Sequence, residues 1–106
     1  MQSRDIEICN RIGQLLYDTA PDTARKIVMR AKLAPEGDAV RFEFDSINES
    51  GEANWFLAPT NVNSELMNLL NEHRDFFVSQ NQPPWREFNF TMDVEAEKFS
   101  LKLNYD

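Results

Sequence analysis

The chain has 106 residues, 42% of them hydrophobic and 27% charged, and a net charge of −7, a composition that suits one folded domain and excludes wholesale disorder. No apolar run nears the roughly 20 residues of a membrane-spanning helix, and the polar-interrupted N-terminal segment lacks the cleavage pattern of a secretory leader. A single Cys9 has no internal disulfide partner, which suits a reducing compartment, so a cytoplasmic protein is expected.

In chain order, Ile8, Cys9, Ile12, Leu15 and Leu16 share one side of a helical wheel and predict an amphipathic helix over residues 4–17. After a turn around Pro21, Ile27, Met29, Ala31 and Leu33 alternate with polar or smaller neighbours, the period of a strand over 26–34. Pro35-Glu36-Gly37-Asp38 is a hairpin turn by its chemistry, since proline presets φ and glycine accepts positive φ. A second strand follows, with Val40, Phe42 and Phe44 inward and Arg41, Glu43 and Asp45 outward. Asn48-Glu49-Ser50-Gly51 predicts another turn, and residues 53–58 supply a third strand that Pro59 ends.

Thr60 or Asn61 is the expected cap of a second helix, with Glu65 in its first turn, where a carboxylate suits the helix dipole. Val62, Leu66, Leu69, Leu70, His73, Phe76 and Phe77 keep helical spacing to about Gln80, and Pro83-Pro84 bars continuation. Trp85 then plugs the corner between this helix and a closing hairpin. In that hairpin Phe88, Phe90, Met92 and Val94 alternate in one strand, and Phe99, Leu101, Leu103 and Tyr105 in the next. Phe88, Phe90, Phe99, Leu101 and Tyr105 are expected inward. The order α-β-β-β-α-β-β predicts a single α+β domain over residues 1–106: an antiparallel sheet of about five strands with two helices on one face.

Chemistry is sparse. His73, the one histidine, falls in the apolar stripe of the second helix and reads as a hydrogen-bonded structural imidazole. Cys9 reads as a small packing residue. The three glycines make no phosphate-cradling loop, and the acids fit neither a calcium loop nor a zinc motif. Glu43 and Asp45 stand at i, i+2 on an outward strand face, a spacing open to acid–base work but more commonly a solvated face. No catalytic residue, metal ligand or cofactor is assigned.

Charge is uneven: residues 1–34 carry six Lys/Arg and four Asp/Glu, whereas residues 35–106 carry five and fourteen. Direct nucleic-acid binding is disfavoured, because phosphate neutralisation needs a basic surface. An acidic domain attracts basic proteins instead. Trp55 and Phe56 must face opposite ways; burial of Trp55 is the first expectation, and contact with a partner the second.

Helix two followed by Gln82-x-Pro84-Trp85, an alternating strand, a turn with Lys98-Phe99, a second alternating strand and a terminal Asn104-Tyr105-Asp106 resembles the YezG-like immunity (antitoxin) family. Glu97 stands where that family often has glycine before the Lys-Phe pair. The resemblance implies a small acidic α+β protein of the bacterial cytoplasm that neutralises a secreted or contact-delivered toxin, often a nuclease, through protein–protein contact. From the acidic residues of this chain, the partner surface is placed at Glu43, Asp45, Glu49, Glu52 and Trp55. An adaptor for a non-toxin protein and a small acid-dependent enzyme are the other two readings.

Overall fold

A computed structural model describes residues 4–105, with α1 at Arg4–Thr19, β1 at Lys26–Leu33, β2 at Val40–Ile47, β3 at Ala53–Phe56, α2 at Thr60–Ser79, β4 at Glu87–Asp93 and β5 at Lys98–Asn104. The fold is α+β, with one antiparallel five-stranded sheet in the order β3-β2-β1-β4-β5. Side chains alternate across the pleat, so Ile27, Met29, Ala31 and Leu33 of β1 share a buried face with Phe44, Phe88 and Phe90. Both helices pack on that face. α1 buries the five apolar residues of its stripe together with Gly13. A Cβ at Gly13 would lie 3.2 Å from the Met92 sulfur, so the missing side chain lets α1 approach β4 closely.

Turns form where their residues demand. Gly37 N–H donates to Ala34 O at 2.9 Å and Gly51 N–H to Asn48 O at 3.0 Å, and both glycines have positive φ, 76° and 84°. Asn71 Nδ2 and Arg74 of α2 reach the first turn, donating to Gly37 O at 2.9 Å and Pro35 O at 3.1 Å. The β1–β2 hairpin is thereby fastened to the helix layer at its tip.

Three expectations need correction. Pro59 is the N-cap of α2 and no side chain caps that end; proline suits a helix start because its missing N–H would be unpaired there. Glu65 lies beyond the first turn and instead accepts from Arg11 of α1 at 2.7 Å. α2 stops at Ser79 with Gln80 as its C-cap, as its spacing predicts; Asn81 takes φ 63°, and Gln82 N–H bonds Phe77 O while Asn81 N–H bonds Val78 O, the paired bonds of a Schellman stop. Phe99 and Tyr105 are 38% and 44% exposed. Phe99 does stack on Phe90 at 5.3 Å, but two helices each about 10 Å across cannot roof five strands spaced about 4.8 Å apart, and β5 lies at the edge; Tyr105 lies past the strand end.

Glu97 adopts φ 53° in the β4–β5 turn, a left-handed conformation that costs a non-glycine residue roughly 1–2 kcal/mol. Glycine relieves that strain but adds unfolded-state entropy of about 0.4–1 kcal/mol. Glu97→Gly is therefore expected to raise stability by about 0.5–1 kcal/mol in urea unfolding; an unchanged or lower midpoint contradicts this reading of the turn.

Candidate functional site

Two regions hold the side chains that could do chemistry or binding. The first lies inside, where α1, α2 and the start of β4 meet. Trp85 and His73 are both fully buried. The indole N–H of Trp85 donates to His73 Nδ1 at 3.0 Å, and His73 Nε2 lies 2.5 Å from Asp5 Oδ1. Because an N–H already points at Nδ1, that nitrogen must offer its lone pair, and the ring proton sits on Nε2 and is donated to Asp5. Cys9 Sγ donates to the same Asp5 oxygen at 3.8 Å. Phe77 and Phe88 close over the imidazole at 4.7 and 5.0 Å between ring centroids. Arg74, also buried, lies 5.8 Å from the Trp85 ring centre and donates to Trp85 O at 3.5 Å.

Asp5, Cys9 and His73 offer ligand atoms within 4.8 Å of one another, a donor set that would attract zinc if all three were free. They are not free. A metal at Nε2 needs the lone pair there, but Trp85 holds the ring in the tautomer that fills Nε2 with a proton. The Cys9 thiol is pushed up to about 12 by burial first and by the Asp5 charge and hydrogen bond second, so the thiolate that a metal or a nucleophilic reaction requires is suppressed. As a general base His73 is equally blocked, since both of its nitrogens are engaged. The cluster is built to hold three elements together, and Asp5, the residue that sequence reading missed, is 68 positions from its partner.

The second region is the uncovered face of the sheet, where the predicted contact residues gather. Glu43 and Asp45 point outward as expected. Arg30 of β1 reaches both, at 3.2 Å to Glu43 and 2.6 Å to Asp45, so their charges are largely answered within the sheet. Glu49 and Glu52 sit exposed in the β2–β3 turn. Trp55 overturns the first expectation of burial: it is 74% exposed, because its register partner is Asp45 on the open face, while Phe56 pairs with Phe44 on the helix side. Leu57 beside it is 77% exposed.

The open face as a whole is not acidic. Strand alternation places Lys26, Arg30, Lys32, Arg41, Lys98 and Lys102 there against Glu43, Asp45, Glu87 and Asp93. The excess acid lies in the helices and in the turns at one end of the sheet. Those turns carry Asp22, Glu49, Glu52, Glu95 and Glu97. Arg25, 3.8 Å from Glu49 and 3.0 Å from Glu95, is their one cation. Trp55 therefore stands between a sheet face whose cations outnumber its anions and an acidic rim.

No helix among the described residues is long and apolar enough to cross a membrane. No family model matches the chain, and no curated protein matches it significantly.

Burial lowers the His73 pKa from its ordinary 6.5, outweighing the opposing pull of Asp5. The unfolded chain then takes up a proton before the folded one does. Stability is fully present above about pH 6.5 and declines as pH falls through the lowered folded value. The expected result is a loss of unfolding free energy between pH 7.5 and pH 5.5 that is smaller in His73→Gln; equal slopes in the two proteins contradict it.

Proposed function

We propose that the protein works by binding, as an immunity protein of the kind its sequence resembles, and neutralises a bacterial toxin in the cytoplasm by covering the toxin's basic substrate surface. A nuclease domain suits the charge best, since it must present cations to a phosphate backbone. The observation that carries this reading is Trp55, three-quarters exposed on an ordered strand. A large aromatic ring left in water beside an equally exposed Leu57 is the kind of anchor that dominates protein interfaces. Glu49 and Glu52 supply the long-range attraction that speeds encounter with a basic partner. Glu43 and Asp45 are shared with Arg30 and serve to position that guanidinium as much as to attract.

The proposal predicts a toxin domain encoded beside this gene; co-expression of the two tests the reading, protection of the host cell being the expected result. In titration calorimetry Trp55→Ala is expected to weaken the complex by about 2 kcal/mol or more. Glu49→Lys with Glu52→Lys is expected to slow association most at low salt. Absence of protection by the wild-type protein, or full affinity in Trp55→Ala, contradicts the proposal or its site respectively.

A further inference from the structure

β3 stops at Phe56 opposite Phe44, so the outer edge of β2 is covered only over residues 44–47. Main-chain groups in an antiparallel ladder point alternately to the two neighbouring strands. The Ala34 N–H to Ala39 O bond and the Asn48 N–H to Glu52 O bond fix that alternation. Arg41, Glu43 and Asp45 turn their main-chain groups to β1, and Val40, Phe42, Phe44 and Ser46 turn theirs away from it. Phe44 and Ser46 meet β3. Val40 and Phe42 have no strand opposite, and among the described residues their outward N–H and C=O groups find no partner. Against this gap lies a cavity of about 500 Å³ lined by Val40, Phe42, Glu43, Trp55, Leu57 and Asn63. The buried Oδ1 of Asn63 has no donor either.

We infer that the gap captures an extended segment of a partner protein, which adds as a strand beside residues 40–43. Two free donor–acceptor sets on residues i and i+2 repeat at roughly 7 Å, a spacing that another extended main chain matches and a helix does not. The flanking side chains specify the segment. Phe42 and Val40 on the helix side call for an apolar residue. On the open side Glu43 and the Trp55 ring favour Lys or Arg, by charge and by cation–π attraction, whereas Arg41 favours an acidic or neutral one. At the opposite edge of the sheet, Lys98 and Lys102 of β5 are the charged residues that discourage such pairing. Identifying the partner as a toxin rests on the function proposed above; capture of a strand does not.

The test uses the whole ¹⁵N-labelled protein and a capped eight-residue peptide alternating valine with lysine and threonine. At millimolar peptide, hydrogen exchange at the Val40 and Phe42 amides is expected to slow at least tenfold, with shifts at the Trp55 indole and the Asn63 side-chain amide. The same peptide N-methylated at alternate residues is expected to do neither. Val40→Pro removes an outward N–H and no ladder bond, a change that edge strands tolerate; it should keep the far-UV spectrum and melting temperature and abolish the peptide effect. Unslowed exchange at Val40 and Phe42, or equal slowing by the methylated peptide, overturns the inference. Toxin protection without peptide capture sinks the gap as the docking site and spares the toxin reading, and capture without protection does the reverse.

Discussion

The hydrogen bond from the Trp85 indole to His73 Nδ1 is the contact around which the remainder of the molecule is arranged. It joins the residue just before the closing hairpin to the C-terminal half of α2, and by setting the imidazole tautomer it dictates the bond from Nε2 to Asp5 on α1. A buried polar chain of this kind is strong only when each member is satisfied. Here Trp85 gives its one donor, His73 uses one nitrogen each way, and Asp5 accepts from both His73 and Cys9. Arg74, the next residue of α2, adds a buried cation answered by two carbonyl oxygens and the indole face. One corner thus fixes both helices and, through Pro35, the tip of the first hairpin.

That arrangement separates the two faces of the sheet into different tasks. On the helix side, the buried His73 and Cys9 are both engaged with Asp5. Among the described residues the other face has no cover, and it carries cross-strand ion pairs centred on Arg30. Exposed ion pairs contribute little stability, but here they position the wall beside Trp55. That face presents one large aromatic, an acidic rim and an open strand edge, the parts that the proposed binding role calls for.

Most of the fold was legible because long elements have a period. The α1 stripe, the alternation in β1 and β2 and the hairpin of Phe88, Phe90 and Leu101 all follow from it. The failures share a cause. A strand of four residues, β3, is too short for a period to tell Trp55 from Phe56, and register with β2 decides instead. The Asp5–His73 contact and the capture of Glu43 and Asp45 by Arg30 both depend on tertiary placement, so a count of acids along the chain overstates how acidic the sheet face is. The end of α2 near Gln80 was legible as well, although Asn81, a residue at ease at positive φ, makes the stop before the two prolines are reached.

The proposed binding role rests on His73 being locked as a neutral structural group, with both ring nitrogens engaged. Long-range ¹H–¹⁵N correlation spectra of the imidazole test this directly. The expected result is a proton on Nε2, with Nδ1 unprotonated at pH 7 and the pattern unchanged when zinc is added. A proton on Nδ1, an imidazolium at neutral pH, or a zinc-induced switch of tautomer contradicts it.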